Sequence, residues 1–472
     1  MAAHSESELA FLSIEQAARL LRRKEISPLE LADVALARIE RWNPSLHAYL
    51  TVLADAARRQ ATLAGREILR GRARGPLHGV PISIKDNFLT RGIRTTAGSK
   101  ILADFIPDED SDVAKLVARS GAIVLGKTNM HEFAYGITGE NPHYGSSRNP
   151  WAPDRVSGGS SGGSAVAVGS GMGFASVGTD TGGSIRIPSA LCGIVGLKPT
   201  FGLVSTAGVV PLGITFDHAG PIARSVTDAC ILLEAIAGKY PRGEMRPDYR
   251  RLRKIRPRRF RIGVPKEFYF ERLDGEVRRL VEAAADKFES LGARVEQVSL
   301  PRLPEAVDHA IYVVVAEANA YHESQGYFPA RAAEYGDDVR AHLEGGHKML
   351  AVDYLAALPK RREIADDFEA AFKHVDIILA PTSPIPAPKI GQSQVRVTGE
   401  EPTATRAELL RLTRPANLTG FPAISIPCGF TREGLPVGLQ LLGPRWGEAR
   451  LLSIALVYEE ATEWHKRHPD LT

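Results

Sequence analysis

The chain has 472 residues, of which 44% are hydrophobic, 24% charged and 7% aromatic, so its composition is typical of a globular protein and excludes a disordered or fibrous one. A formal net charge of +4 is small for this length and does not by itself indicate a nucleic-acid partner. The sequence shows neither a signal peptide nor an apolar run of membrane-spanning length, so we expect no membrane partner and a cytoplasmic location.

Cysteine usage limits the chemistry further. Cys192, Cys230 and Cys428 are widely separated, odd in number and outside any cluster with metal-ligand spacing. We therefore expect no disulfide framework and no zinc site.

Two helix-start signals lie near the beginning of the chain. Ser13–Gln16 and Ser27–Glu30 are both capping boxes, and the second carries proline at the first helical position. Each precedes an amphipathic run, and we expect the two helices to end near Lys24 and Trp42. Residues 1–70 are therefore predicted to form a helical region that packs on a larger core.

Strand and helix patterns alternate from Pro76 onwards. The predicted strands are residues 80–84, 122–125, 261–264, 294–300, 376–380 and 423–427, and the predicted helices are residues 111–120, 225–238 and 276–291. This alternation predicts an α/β fold with a large mixed, mostly parallel sheet sandwiched between helices. Because no break in composition divides the chain, we predict a single domain over residues 1–472.

The segment Ser157–Gly202 is dense in glycine and serine. Such a segment is either a flexible linker or an active site built largely from backbone. A linker should be polar throughout, whereas this segment carries Ala165–Val168, Phe174 and Ile194–Leu197, which can pack. The pattern therefore favours an active site.

Two glycine-flanked serines, Ser160 and Ser184, lie 24 residues apart in this segment. Glycine neighbours allow a backbone to approach a substrate closely. A helix predicted from Ile185 would place Ser184 at its N-terminus, where unpaired N–H groups and the positive dipole end suit an oxyanion. This arrangement is typical of nucleophilic serine catalysis.

A nucleophilic serine needs a base that takes its proton. No histidine neighbours these serines in sequence, but a distant one remains an alternative because triads assemble across a chain. Lys85, directly after a predicted strand, is the other candidate. Lysine is a base only when neutral, and burial can lower its pKa from about 10.4 to near 7.

Six blocks in order along the chain carry a family resemblance: Val80–Asp86, Gly158–Ser164, Asp180–Pro188, Cys192–Pro199, Asp217–Pro221 and Asn417–Pro422. Together they resemble the blocks of the amidase signature family over nearly the whole chain. The resemblance implies the fold of that family and the hydrolysis of a small-molecule amide without metal or organic cofactor. A homo-oligomer is compatible with it.

The resemblance also implies a Ser–Ser–Lys triad. Ser184 matches the nucleophile of the family, Ser160 the bridging serine that follows a cis peptide, and Lys85 the base. The residues implied to hold the oxyanion with their N–H groups are Thr181, Gly182, Gly183 and Ser184, and those implied to support the triad are Ser161, Asp180 and Arg186.

One alternative lies inside the family. Gly126–Met130 resembles the glutaminase component of the glutamyl-tRNA amidotransferase, which would make the chain a partner-dependent component serving a tRNA-bound substrate. In that component, one arginine and one aspartate help to hold glutamine. Arg362 matches the arginine, but Leu410 stands at the position of the aspartate, with Glu408 nearby. A nucleic-acid partner is expected only in this case.

Two further interpretations remain. Gly158-x-Ser160-x-Gly162 fits the nucleophile elbow of α/β-hydrolases, which would make Ser160 the nucleophile, but that motif needs a strand directly before it, and Asn149–Arg155 is proline-rich. A non-catalytic scaffold is the other, although it would not require both serines and the lysine.

Some residues have less specific interpretations. Nine of the sixteen residues of Arg246–Arg261 are basic, which we interpret as a solvated loop rather than a phosphate-binding patch. His131, His143, Tyr135 and Trp151 are candidates for the wall of an acyl pocket.

Overall fold

The computed structural model describes residues 5–252, 254, 259–397, 399 and 401–471. Part of the basic segment Arg246–Arg261 therefore lies outside the described residues. Within the described ranges, no helix is both long enough and apolar enough to cross a membrane.

The described residues form the following α-helices: α1 (Glu6–Ala10), α2 (Ile14–Arg23), α3 (Pro28–Leu46), α4 (Ala54–Leu69), α5 (Asp112–Ser120), α6 (Gly162–Gly169), α7 (Arg186–Leu191), α8 (Val226–Ile236), α9 (Tyr249–Leu252), α10 (Gly275–Ser290), α11 (Ala306–Ser324), α12 (Asp337–Gly346), α13 (Ala351–Phe372), α14 (Thr405–Arg411), α15 (Arg414–Thr419) and α16 (Glu448–Glu460).

They also form these strands: β1 (Tyr49–Val52), β2 (Pro81–Lys85), β3 (Ile123–Thr128), β4 (Ala175–Asp180), β5 (Val195–Lys198), β6 (His218–Ala223), β7 (Phe260–Pro265), β8 (Ala293–Val298), β9 (Ile377–Pro381), β10 (Gln394–Val395), β11 (Thr403–Ala404), β12 (Ala423–Phe430) and β13 (Pro436–Leu442). Eleven of them build one sheet in the order β1-β3-β2-β4-β6-β5-β12-β13-β9-β7-β8, and β10 pairs with β11 separately.

The predicted α/β fold with a large mixed sheet is confirmed, but the expected majority of parallel pairs is wrong. Four neighbouring pairs are parallel, β2 with β3, β2 with β4, β7 with β8 and β7 with β9. The other six are antiparallel. Short direct connections, such as the one that joins β12 to β13, allow neighbouring strands to run antiparallel without a crossover helix.

Helices cover both faces of the sheet, as predicted. Adjacent residues of a strand point to opposite faces. In β6, Ala223 belongs to the apolar cluster that contains α8, whereas its neighbour Ile222 belongs to the cluster formed with Ala165 and Val166 of α6. The central strands are therefore buried on both sides.

The N-terminal helices pack on this core. Both predicted capping boxes are present, and α2 ends at Arg23 as expected. The N–H of Ile14 donates to the buried Asp228 Oδ1 at 2.9 Å, which ties α2 to α8. Helix α3 runs to Leu46, past its predicted end, and includes Pro44 near its C-terminus. The single-domain organisation stays a prediction.

The strands β2 and β4 fix the position of the candidate site. They are parallel neighbours in the middle of the sheet, with Ile84 opposite Val177. The carboxyl ends of parallel neighbours lie at the same edge of a sheet. Lys85, the last residue of β2, therefore lies beside Thr179 and Asp180 at the end of β4.

Candidate active site

Lys85 is fully buried, and its amine has two hydroxyl partners. Nζ donates to Ser160 Oγ and to Thr179 Oγ1, both at 2.7 Å. Thr179 Oγ1 also accepts a hydrogen bond from Asn87 Nδ2 at 3.1 Å. The structure thus brings together Lys85 and Ser160, which are 75 residues apart in the chain.

Burial controls the protonation of this lysine. Removal from water lowers the pKa of Lys85 to about 7, although the negative charges of Asp217 and Asp180 act in the opposite direction. A large fraction of Lys85 is therefore neutral at physiological pH and can accept a proton. An exposed lysine, with a pKa near 10.4, is almost wholly protonated there.

Ser160 lies in a tight turn just before α6. The peptide bond between Gly159 and Ser160 is cis, as the family resemblance implied. The turn needs glycine at position 158, where φ is +76° and an added Cβ would lie 2.9 Å from the Cα of Pro188. The N–H of Ser161 donates to the carbonyl of Ser184 at 3.2 Å, so the two serine turns lie against each other.

The side chain of Ser161 fixes the Ser160 turn to β4. Its Oγ donates to the carbonyl of Thr179 at 3.1 Å and accepts from the N–H of the same residue at 3.3 Å. Thr179 is also a partner of Lys85. Ser161 thereby helps to set where Ser160 and Lys85 meet.

Ser184 lies in the turn between β4 and α7, which begins at Arg186. The turn is held by one carboxylate, because Asp180 accepts hydrogen bonds from the N–H groups of Gly183 at 2.8 Å and Ile185 at 3.1 Å. Gly183 has a φ of +131°, and an added Cβ would lie 2.2 Å from Thr413 Oγ1, so this position requires glycine.

The predicted oxyanion hole stays a prediction, but one of its four N–H groups already has a hydrogen-bond partner. Because the N–H of Gly183 already donates to Asp180 Oδ1, its role is to shape the turn. The remaining candidates are the N–H groups of Thr181, Gly182 and Ser184. The carbonyl of Gly182 accepts from Thr413 Oγ1 at 2.6 Å, which fixes the orientation of this peptide segment.

Asp180 and Arg186 form a fully buried ion pair beneath the turn. Arg186 Nη2 lies 3.0 Å from Asp180 Oδ1, and its Nε donates to Oδ2 at 3.0 Å. Gln440 and Asn417 accept from the same guanidinium, each at 2.6 Å. Burial alone would raise the pKa of Asp180, but Arg186, Lys198 and the Asn417 amide outweigh it and hold the pKa well below its usual range.

Sequence reasoning did not assign a role to Asp217. Its Oδ1 accepts from Thr181 Oγ1 at 2.5 Å, and its Oδ2 accepts from the N–H of Leu212 at 2.9 Å. Burial raises the pKa of Asp217 to about 6, against these hydrogen bonds. The block Asp217–Pro221 carried the only sequence signal, whereas Thr179 and Asn87 carried none because their roles arise from the fold.

The histidine alternative is not supported. His218 is buried near the site, but its Nδ1 lies 2.6 Å from the carbonyl of Phe216 and 3.2 Å from that of Asp180. In the described part of the chain, no histidine is hydrogen-bonded to Ser160 or Ser184. Among the described strands, none directly precedes Ser160 either, so the α/β-hydrolase elbow lacks its required context.

A cavity opens beside Ser184, and the space between its walls, including its open mouth, is about 390 Å³. Its walls are Ala134, Tyr135, Gly136, Ile137, Thr181, Gly182, Leu212, Ala310, Val314, Arg406, Leu410 and Arg414. Of the four predicted pocket residues, only Tyr135 lies in this lining. His131 contacts Asp338, His143 contacts Glu132, and Trp151 donates to the carbonyl of Cys192.

The residues at the positions expected to hold glutamine in the glutaminase component lie apart from one another. Arg362 lines a separate groove with Phe201 and Arg445. Leu410 lines the Ser184 cavity, whereas Glu408 is buried in ion pairs with Arg272 and Arg411. The expected arginine and acid are therefore not brought together here.

Comparison with known proteins agrees with this geometry. The family profile described as Amidase matches residues 30–452. The chain is 40% identical to the A component of the glutamyl-tRNA(Gln) amidotransferase from Moorella thermoacetica over 490 residues, which cover 98% of this chain and 99% of the relative.

Solved structures of amidases are also similar to this chain. A crystal structure of an amidase superposes with a TM-score of 0.87 at 37% identity, covering 95% of this chain and 99% of that one. The peptide amidase from Stenotrophomonas maltophilia superposes with a TM-score of 0.80 at 31% identity, covering 96% and 97%. The chain therefore belongs to the amidase family.

Proposed function

We propose that this protein is an amidase that hydrolyses the C–N bond of a carboxamide to a carboxylate and ammonia or an amine, through an acyl-enzyme on Ser184. One observation carries the proposal. A fully buried lysine with a pKa of about 7 hydrogen-bonds Ser160, whose turn lies against that of Ser184. A buried, neutral lysine beside two serines is suited to proton transfer and is of no evident use to a scaffold.

The proposed reaction begins with a proton relay. Ser184 gives its proton to Ser160, which passes a proton to neutral Lys85, and Ser184 Oγ attacks the carbonyl carbon. The N–H groups of Thr181, Gly182 and Ser184 are the proposed donors to the tetrahedral oxyanion. Asp180, Arg186 and Ser161 hold the two serine turns in place.

The proton then returns to the leaving nitrogen. An amide expels its nitrogen only once that nitrogen is protonated, and protonated Lys85 supplies the proton through Ser160. The C–N bond breaks, and the acyl group stays on Ser184 as an ester. Water attacks this ester by the same relay, which releases the carboxylate and restores Ser184.

The test is ammonia release by the purified chain alone. Glutamine and a panel of aliphatic and aryl carboxamides serve as substrates, and Ser184→Ala serves as the control. We expect turnover of carboxamides that is lost in the variant. Equal ammonia release by the variant would refute the proposal.

A second candidate function rests on the amidotransferase relative. The likeness to that protein extends over nearly all of both chains. This candidate function predicts that hydrolysis is confined to glutamine and that the chain co-purifies with partner proteins. A tRNA-bound substrate is expected only in that case. The separation of Arg362 from the Ser184 cavity argues against it.

A further inference from the structure

Two arginines line the cavity that contains Ser184. Arg406 lies in α14, and Arg414 is the first residue of α15. The two helices follow each other directly, and both arginines line the same cavity. Neither residue belongs to the triad or to the turns that hold it.

In the part of the chain that the structure describes, neither arginine has an anionic partner. No carboxylate there lies within ion-pair distance of either guanidinium, and Arg406 Nε is buried without a hydrogen-bond partner. Neighbouring arginines are paired, since Arg411 of the same helix contacts Glu408 and Arg186 contacts Asp180. Both residues are half-buried, and a charge that is largely removed from water without a partner is costly, which points to a partner that arrives with the ligand.

Tyr135 adds a third polar group to the part of the cavity that Arg406 and Arg414 line. Its ring lies under Arg406, with 5.6 Å between the guanidinium carbon and the ring centroid, and its buried hydroxyl has no hydrogen-bond partner among the described residues. His342 stacks on Tyr135, and burial lowers its pKa to about 4, so it is neutral at physiological pH. This part of the cavity therefore offers hydrogen-bond donors and positive charge to a ligand.

The positive charge persists at neutral pH. Burial, followed by the nearby Arg406, lowers the pKa of Arg414 to about 9, which still leaves it protonated at pH 7. Burial also lowers the pKa of Arg406, whereas the negative charge of Asp338 acts in the opposite direction. Asp338 is already engaged with His131 at 2.7 Å, and Asp308 acts on Arg414 only at a distance.

We infer that Arg406, Arg414 and Tyr135 bind a carboxylate in the acyl part of the substrate, so that this enzyme acts on monoamides of short dicarboxylic acids. The inference rests on the proposed amidase function. Planar guanidinium groups match the geometry of a carboxylate, and a ligand that spans the cavity would place its amide at Ser184.

The rest of the cavity selects against an α-amino group. Ile137, Leu212, Val314 and Leu410 are apolar, and none of the described residues that line the cavity is acidic. The ammonium of glutamine would therefore lie beside two arginines without a counter-charge. This composition separates a dicarboxylate monoamide from glutamine as substrate.

The test compares malonamate, succinamate and glutaramate with neutral isosteres in which an isopropyl group replaces the carboxylate, such as 4-methylpentanamide for succinamate. We expect kcat/KM for the best monoamide to exceed that of its isostere by at least about 100-fold, because a hydrogen bond to a charged group contributes about tenfold or more. Glutamine should be a poorer substrate than the best monoamide.

Variants then assign the effect to residues. Arg406→Met and Arg414→Met should each lower kcat/KM for the anionic substrate by about 10- to 100-fold and change that for the neutral isostere by less than about threefold. Arg432→Met, which removes the same charge from an exposed side chain, is the matched control and should change neither. Arg406→Lys should restore part of the preference.

Equal turnover of the anionic and neutral amides, or equal loss of both in the arginine variants, would overturn the inference while leaving the amidase function intact. Binding of succinate itself to the Ser184→Ala variant, followed by calorimetry, provides the separate readout. Succinate binding that is lost in Arg406→Met, without hydrolysis of any amide by the wild type, would support the carboxylate site and refute the amidase function.

Discussion

Lys85 shows how one buried residue links activity to stability. Its pKa of about 7 in the folded protein lies about 3.5 units below that of a free lysine, which corresponds to roughly 4 to 5 kcal/mol against the charged form. Between pH 7 and 10.5 the unfolded chain binds a proton that the folded chain does not. This lysine therefore makes the folded state more stable as pH rises through that window.

Replacing Lys85 with methionine should separate the two effects. We expect Lys85→Met to lower amide hydrolysis by at least about 100-fold, because the general base is lost. Its free energy of unfolding at pH 7 should not fall, because a protonated buried lysine is costly there, and the rise in stability between pH 7 and 9 should be smaller than in the wild type. Ammonia release and urea denaturation at both pH values measure this. Near-normal hydrolysis would remove Lys85 from the mechanism.

Asp217 should set the acid limb of the activity profile. Neutral Lys85 is the active form, so kcat/KM should rise with pH through about 7. The charge of Asp217 favours protonated Lys85 and raises its pKa. Asp217→Asn keeps the hydrogen-bond acceptor for Thr181 but removes the charge, so the acid limb should move to lower pH.

Asp228 supplies the control for that experiment. It is another buried aspartate whose pKa burial raises to about 6, but it accepts from the N–H of Ile14 and is influenced by the charge of Arg224 rather than acting on Lys85. Asp228→Asn should leave the pH dependence of kcat/KM unchanged. A shift of the acid limb to higher pH in Asp217→Asn, or an equal shift in both variants, would contradict the assigned coupling.

At the scale of elements, the turn between β4 and α7 depends on the Asp180–Arg186 pair. Removal of one partner leaves the other as an unpaired buried charge, which typically costs about 3 to 5 kcal/mol. We therefore expect Arg186→Met to lower the free energy of unfolding by about that amount, as measured by urea denaturation. The double variant Asp180→Leu/Arg186→Met should recover part of the stability without recovering activity. Wild-type stability in Arg186→Met would show that the pair is dispensable for the fold.

Elements with local signals could be predicted from the sequence. The capping boxes at Ser13 and Ser27 and the glycine at position 121 gave correct helix boundaries, because caps act within one turn. The order of strands in the sheet was not accessible, since pairing joins segments as distant as β5 and β12. The prediction that most neighbouring strand pairs are parallel was wrong for this reason.

The site was predictable where glycine and serine patterns marked a backbone conformation. Ser160, Ser184 and Lys85 all carried such a signal or followed a buried strand. Arg406 and Arg414 did not, because an arginine in an amphipathic helix usually faces solvent, and only the packing of α14 and α15 turns these two towards Ser184. Thr413 and Asn417 likewise gain their roles through contacts with a turn more than 200 residues earlier.

At the scale of the whole molecule, one sheet joins the two ends of the chain. β1 and β8 are its edge strands, and β12 and β13 from the C-terminal part insert between β5 and β9. We therefore expect the chain to unfold in one cooperative transition, with near-UV and far-UV circular dichroism giving coincident midpoints in urea. Two separated transitions would contradict the single-domain prediction.

The measurement that tests the central claim most directly is the location of a covalent adduct. The protein is incubated with a fluorophosphonate probe at about pH 8, where Lys85 is mostly neutral, and the labelled peptide is identified by mass spectrometry. We predict a single adduct on Ser184 that is absent in Ser184→Ala and forms far more slowly in Lys85→Met. An adduct on Ser160, or no adduct in an enzyme that turns over carboxamides, would contradict the proposed mechanism.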